Sequence, residues 1–319
     1  MSTIRPGLTV IVPTYRRPFE FDRCLRALEG QSLAPTGVLI TCRENDAETL
    51  EYLAGRDRPF PDARVVICEE PGVIFALNLA FNAVETEYFA ITDDDSVPYP
   101  DWLEKIAARF REFPDATGVG GRDHVFETDL NMWLEGAASE VGKVAWNGSS
   151  VGNHHIGVGP ARYVDLLKGV NMAFRTAEFG DARLDARLRG KGAQYGWELQ
   201  LCLLLKQRGK KLVYDPAILV DHVIGARPMS EHRSLFNVSQ VYDESFNRFL
   251  VMYEFLGTRP FGWFRQLVYT AFNALRGTRR YPGFAVFVYL LASGRRDAFL
   301  QWKTILSSIS AAMRTARQR

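Results

Sequence analysis

An α/β protein with a mixed, mostly parallel sheet flanked by helices, followed by a helical C-terminal extension, is what this sequence predicts. Three observations carry that expectation: strand-length apolar runs alternate with amphipathic stretches over the first hundred residues, strand and helix patterns resume after a Gly-rich interval, and the remainder of the chain is helical and basic.

Residues 8–13 (LTVIVP) read as a buried strand. The stretch 19–30 carries Phe21, Cys24, Leu25 and Leu28 at helical spacing, with Gly30 placed as a C-terminal cap. Residues 38–42 form a second strand, 47–53 a second helix and 63–68 a third strand, and a helix over 74–84 leads to a strand over 88–92. This alternation implies parallel strands with helices on both faces. A helix over 101–113 precedes Gly-rich stretches through 118–121 and 148–159, which read as loops around a site. Regularity returns at 167–175, in a helix over about 196–208, and in two strands, 211–214 and 217–220.

At 319 residues the chain can bury a full core, and 47% hydrophobic with 24% charged residues is globular composition, which sets aside disorder and coiled coil. Cys24, Cys42, Cys68 and Cys202 lack the close spacing of a metal knuckle or redox pair and are expected as buried thiols. The first residues, MSTIRPGLTVIVPTY, hold no basic stretch ahead of a long apolar segment, so a cytoplasmic protein is expected.

The net charge of +2 conceals an asymmetry. Residues 259–319 hold eleven Lys or Arg against one acid, Asp297, giving +10 there and therefore −8 in the rest of the chain. Such a tail is expected to meet an anionic surface. Within it, residues 281–293 (YPGFAVFVYLLAS) are too few for the roughly 20 apolar residues of a bilayer span. Flanked by Arg279, Arg280, Arg295 and Arg296, the run reads either as an interfacial helix or hairpin, or as a core helix docked on the main domain. Bases that alternate with apolar blocks favour a membrane over nucleic acid, so no nucleic-acid partner is expected.

The apolar run 88–92 (YFAIT) ends directly in Asp93-Asp94-Asp95. Ligands of open α/β sheets bind outside the carboxyl ends of strands, so these acids stand where a ligand would be met. Adjacent carboxylates repel one another unless solvated or offset by a divalent cation, and hard oxygen ligands suit Mg or Mn. A solvated turn capping the next helix is the other reading. His222 follows another strand pattern, where it serves either the structure or a metal as third ligand. Glu198, in the first turn of a Leu-rich helix, either favours the helix dipole or faces a cavity as a general base.

This set of residues resembles glycosyltransferase family 2, whose members have the GT-A fold. The matching segments, in the family's order over roughly residues 8–225, are VIVPTYRR (10–17), PGVIFALN (71–78), TDDDSVP (92–98), GVNMAFR (169–175), WEL (197–199) followed by Gly209, and YDP (214–216) leading to Asp221-His222. The resemblance implies that Pro13, Thr14 and Tyr15 lie against the nucleotide, with Arg43 or Asp46 helping and Asn78 near the ribose or diphosphate. It makes Asp93 and Asp95 the two acids of a DxD motif, with Asp94 beside the nucleotide-sugar, and gives Asp93, Asp95 and His222 a Mn2+ or Mg2+ ion. Glu198 becomes the catalytic base by its distance from Gly209, although Trp197 stands where the family often has a further acid. Asn171, Met172 and Trp197 are expected on the acceptor side.

The activity so implied is metal-assisted, inverting transfer of a hexose-like sugar from a nucleoside-diphosphate sugar to a hydroxyl of a glycan or lipid-linked acceptor. Gln-x-x-Arg-Trp is absent, which disfavours a processive synthase. The expected layout is a catalytic domain over 1–230, divided near residue 100 into nucleotide-sugar and acceptor halves, then a basic helical extension over 231–319 held at the cytoplasmic face of the membrane. A metal-dependent nucleotidyltransferase and a non-catalytic membrane-binding module are the competing readings.

Overall fold

The computed structural model describes residues 4–55, 63–127, 132–190, 192–224, 237–278 and 281–318. The chain divides into two compact units: Met1–Lys143, Val151–Leu184 and Leu201–Ala226 form the first, and Val144–Ser150, Asp185–Gln200 and Arg227–Arg319 the second. The expected boundary at 230–231, and the flanking Arg279 and Arg280, lie outside the described residues.

In chain order the elements begin with β1 (Arg5–Pro13), α1 (Pro18–Glu29), β2 (Gly37–Arg43), α2 (Ala47–Ala54), β3 (Ala63–Cys68), α3 (Val73–Ala83) and β4 (Thr86–Ile91). There follow β5 (Ser96–Pro98), α4 (Trp102–Glu112), β6 (Ala116–Glu127), β7 (Met132–Trp133), β8 (Lys143–Val144) and β9 (Ser150–Val151). The series closes with β10 (Arg162–Val164), β11 (Met172–Arg175), α5 (Thr176–Phe179), α6 (Trp197–Gln207) and β12 (Lys211–Ile224).

Ten strands make one mixed sheet with the order β10-β12-β6-β11-β4-β1-β2-β3, to which β5 adds on β12 and β7 on β6. The strands β3, β2, β1 and β4 are parallel to one another, as the alternating pattern predicts. Beyond them β11 runs antiparallel between β4 and β6, and β12 runs parallel to β6. The core joins Val10 and Val12 of β1 to Phe21, Leu25 and Leu28 of α1, and to Trp102 and Ile106 of α4.

Two readings of the sequence change. The stretch through residues 118–121 is a long central strand rather than a loop, and its glycines answer to close packing. A Cβ on Gly118 would stand 2.7 Å from Leu212 and 2.8 Å from Phe174, and one on Gly121 only 2.0 Å from the carbonyl oxygen of Ile218. The two strands expected at 211–214 and 217–220 are one, β12, interrupted by a shift of register between Asp215 and Leu219. Pro216 cannot donate to the ladder, and a bulge accommodates it. Gly30 does follow α1, but at φ −83°, so its backbone needs no glycine.

The second unit contains α7 (Val238–Gly257), α8 (Gly262–Leu275), α9 (Phe284–Ala292) and α10 (Ala298–Ala316). Asn237 caps α7 by accepting from the Gln240 amide at 3.2 Å. Phe246, Phe249 and Leu250 of α7 and Ile305 and Ile309 of α10 are buried, and Ser308 donates to Ser245 at 2.8 Å. Tyr269 brings α8 onto α7 through Phe249, ring centroids 5.1 Å apart. Among the described residues no helix is long and apolar enough to cross a membrane.

Gly121→Ala tests the close approach of β6 and β12. With a backbone oxygen as the obstacle, the substitution should destabilise by about 3 kcal/mol, the upper part of the overpacking range. A shift of the urea midpoint to lower concentration measures it, and an unchanged midpoint would contradict the packing described.

Candidate active site

The site sits where β4 ends. The Thr92 amide still donates to Ile11 at 3.1 Å, continuing the sheet, and the chain then turns through Asp93-Asp94-Asp95. Ser96 closes the turn by donating to the Asp93 carbonyl from its amide (3.2 Å) and from its hydroxyl (2.7 Å). From there β5 pairs antiparallel with β12, setting Ser96 opposite His222 and Val97 opposite Asp221. The Val223 amide donates to the Asp95 carbonyl at 3.1 Å. Backbone pairing therefore brings His222 to Asp95 across more than a hundred residues of chain, with Nε2 3.3 Å from Asp95 Oδ1.

One ligand atom each from Asp93, Asp95 and His222 lies within 4.8 Å of the others. Two carboxylates and an imidazole at that spacing fit a divalent cation, with positions left for water or phosphate oxygens. The surroundings fit it too. Asp95 and His222 are buried, Asp93 is partly exposed, and Asp123 Oδ1 is buried with no hydrogen-bond partner. Crowded acids of this kind call for positive charge, and Arg17 supplies some of it: its Nη1 lies 3.1 Å from Asp95 Oδ2 and 3.4 Å from Asp94 Oδ1. Burial, then the neighbouring Asp95 charge, still pushes the Asp94 carboxyl up to about 7 against the pull of Arg17.

Behind His222 lies Asp123, fully buried on β6, with Oδ2 3.7 Å from His222 Nδ1. Lys168 Nζ donates to the same oxygen. For His222, burial alone would lower the pKa, but the Asp123 and Asp95 carboxylates outweigh it and raise the group to about 9. For Asp123, burial alone would raise it, and Lys168 with His222 instead bring it down to about 2. The result is a line of groups, Asp95–His222–Asp123–Lys168, with the imidazole between two carboxylates.

The residues expected at the nucleotide separate into two kinds. Pro13 and Tyr15 stay accessible where β1 ends, and the guanidinium groups of Arg16 and Arg43 stand 5.1 and 5.9 Å from the Tyr15 ring centre. Thr14 is buried, its amide donating to Thr41 at 2.9 Å. Asp46 is also buried and is engaged by protein: it accepts from the Thr49 hydroxyl (2.7 Å) and amide (3.2 Å) as the cap of α2, and from the Arg16 amide at 2.7 Å. The Asn78 amide exchanges hydrogen bonds with the Leu184 backbone at 3.0 and 2.9 Å. Both therefore shape the loops beside the site.

Asn171, Met172 and Trp197, expected on the acceptor side, lie inside the protein. Asn171 and Met172 are fully buried. Asn171 accepts from Trp102 Nε1 at 2.9 Å and donates to the carbonyls of Arg122 and Ile218, while Met172 pairs with Ile91 and Gly120 inside the sheet. An amide beside a bulged strand satisfies backbone groups that the ladder leaves over. Trp197 is buried, and Glu198 is half-buried in the first turn of α6; both are counted with the second unit. Arg17, Asp123 and Lys168 were not singled out from the sequence. The signal for Asp123 is its place in the inward phase of β6 with Gly121 and Val125, which a loop reading hides.

The fold and the Asp–Asp–His site together define a GT-A glycosyltransferase, and comparisons with known proteins agree. The profile of the glycosyltransferase-like family 2 matches residues 6–240. The chain belongs to that family. It is similar to the glucosyl-dolichyl phosphate glucuronosyltransferase of Haloferax volcanii, 22% identical over 231 residues that cover 67% of this chain and 68% of that one. Among solved structures it resembles the Pyrobaculum calidifontis mannosyltransferase PcManGT in complex with GDP-Man and Mn2+ (TM-score 0.57, 16% identity, covering 99% of this chain and 88% of that one). It also resembles S. aureus TarS in complex with UDP-GlcNAc (TM-score 0.56, 13% identity, 98% and 92% covered). At such identities the structural likeness establishes the fold.

Asp123→Asn should weaken Mn2+ binding about 10- to 100-fold, because a carboxylate behind a liganding imidazole orients it and raises its basicity. Titration of free Mn2+ by electron paramagnetic resonance measures this, with a melting curve showing that the variant is folded. Unchanged affinity would leave Asp123 a purely structural acid.

Proposed function

We propose that this protein is an inverting, non-processive glycosyltransferase that moves a hexose-like sugar from a nucleoside-diphosphate sugar to a hydroxyl of a glycan or lipid-linked acceptor. The observation that carries the reading is the meeting of Asp93, Asp95 and His222 at the carboxyl end of β4 in a chain of this family. The solved relatives named above hold GDP-Man with Mn2+ and UDP-GlcNAc, which supports a nucleotide-sugar donor. The glucosyl-dolichyl phosphate named for the Haloferax relative supports a lipid-linked acceptor.

Asp93, Asp95 and His222 would hold a Mn2+ or Mg2+ ion, which when bound offsets charge on the departing nucleoside diphosphate. Pro13, Thr14 and Tyr15, with Arg43, would bound the base and ribose, and Asp46 and Asn78 would hold that pocket in shape. Arg17 keeps Asp94 and Asp95 oriented against their mutual repulsion. Glu198 would accept the proton of the acceptor hydroxyl as that oxygen bonds to the anomeric carbon and the bond from carbon to diphosphate oxygen breaks on the opposite face, inverting the centre. Asp94 would lie against the sugar-diphosphate side of the donor.

Two substitutions separate these roles. Glu198→Gln should lower kcat by about 10²–10⁴-fold, the range of a general base, while leaving donor affinity intact. Asp95→Ala should abolish transfer and also weaken donor binding in the presence of Mn2+, as read by release of nucleoside diphosphate and by calorimetry. Full turnover by Glu198→Gln would remove it as the base.

Melting curves recorded with a panel of nucleotide sugars provide the donor test. The correct donor at about a hundred times its Kd should add about 2.7 kcal/mol of stability, visible as a raised Tm. That rise should need Mn2+ or Mg2+ and disappear with EDTA, and a rise indifferent to metal would contradict the metal assignment.

A further inference from the structure

The second unit carries an apolar surface that its own fold does not cover. Among the described residues, twelve of the twenty-four exposed large hydrophobic side chains belong to residues 261–300. Singly exposed hydrophobics are ordinary, but these fall on α8, α9 and the start of α10, with α9 in contact with both of the others. On α8, Trp263, Leu267 and Leu275 recur at intervals of four and eight, with Phe264 beside them, all exposed, while Tyr269 on the other side packs on α7. On α9 the division is equally clear. Phe287 and Leu290 turn inward, and Phe287 stacks on Trp302 of α10 at 4.7 Å, whereas Phe284, Val288, Tyr289 and Leu291 remain exposed. At the head of α8, Phe261 is 77% exposed and holds φ +57°, a left-handed conformation unfavourable for a bulky residue. At that exposure its ring lies mostly in water.

The charge around this face is one-sided. Arg276, Arg295, Arg296 and Lys303 are exposed beside it, and Asp297, the one acid of residues 259–319, is engaged by Arg295 at 2.9 Å. Aromatic and aliphatic side chains bordered by arginines match the boundary between anionic headgroups and acyl chains, where the rings enter about 5–10 Å and the bases meet phosphate. A second copy of the same face would bring like charge against like charge, and nucleic acid would leave the apolar side chains in water.

We propose that the exposed face of α8 and α9, with the start of α10, docks on an anionic phospholipid bilayer without crossing it. Phe261, Trp263 and Leu267 form its leading edge, and the bases around α9 and α10 supply the preference for anionic lipid. The sequence marks residues 231–319 as a membrane-associating extension and 281–293 as its apolar run; the exposed stripe of α8 and the outer face of α9 give that expectation named residues. The proposal stands apart from the glycosyltransfer reading, because its test needs neither donor nor acceptor.

The full chain is sedimented with phosphatidylcholine vesicles with and without about 30 mol% phosphatidylglycerol, which gives the surface the negative potential that attracts basic residues. Binding should appear with phosphatidylglycerol and weaken as salt rises. The double variant Trp263→Ser/Leu267→Ser changes only exposed side chains and should lose about tenfold or more in vesicle partitioning, with Tm unchanged. Arg295→Gln/Arg296→Gln should lose several-fold on anionic vesicles. Brominated acyl chains should quench the fluorescence of the wild type more than that of Trp263→Phe. Failure to sediment with anionic vesicles would overturn the proposal, as would wild-type partitioning by the Trp263→Ser/Leu267→Ser variant. So would a concentration-dependent dimer in light scattering that this variant abolishes, which would make a second copy the occupant.

Discussion

A three-residue strand carries the site. Because β5 pairs with the end of β12, the turn that leaves β4 is clamped, and the acids it presents meet an imidazole from a distant part of the chain. Without that pairing Asp93-Asp94-Asp95 would be a solvated turn and His222 a residue after a strand. The pairing in turn needs β12 to reach beyond its bulge at Pro216, and the bulge needs Gly121, where any side chain would meet the Ile218 carbonyl. A glycine in a central strand and a proline in its neighbour, both unfavourable for sheets, thus lie on the route that brings Asp95 and His222 together.

Charge at the site is organised in layers. Buried carboxylates are tolerated because each has a cation or a donor close by: Arg17 for Asp94 and Asp95, Lys168 for Asp123, and His222 between Asp95 and Asp123. Such groups contribute little net stability, since desolvation offsets most of their attraction. Their value lies in orientation. An imidazole held between two carboxylates keeps one nitrogen turned to the proposed metal position, and a guanidinium on the outer side keeps the acids from swinging apart.

The two units solve different packing problems. In the first, β1 and β2 bury nearly continuous apolar runs beneath helices, whereas the edge strand β3 leaves Val65 and Ile67 exposed. In the second, α7 and α10 form the buried pair, whereas α8 and α9 each bury one face and leave the other apolar. The acidic body and basic tail read from composition acquire a physical place in this way: the bases border an apolar surface that water alone does not favour.

Much of this protein was legible in its sequence. Short apolar runs and period-3.6 patterns located the parallel strands and their helices, the acids after the fourth strand marked the site, and Asp93, Asp95 and His222 are residue types that suit a divalent cation. Local chemistry suffices for those, because a strand ending in acids and a helix with one apolar face are written in neighbouring residues. What neighbouring residues cannot express is long-range company. Gly118 and Gly121 read as loop because nothing nearby in sequence reveals that Phe174, Leu212 and Ile218 press against them. The hydrogen bonds of Asn171 to Trp102 and to two carbonyls beside a bulge depend on three other segments in the same way. Asp123 likewise takes its place from His222 and Lys168, both far along the chain. The sequence by itself determined the family, the parallel half of the sheet and the metal-type residues, whereas the tertiary structure decided which polar groups face the site and which serve the sheet, since burial and hydrogen-bond partners are set by contacts between distant segments.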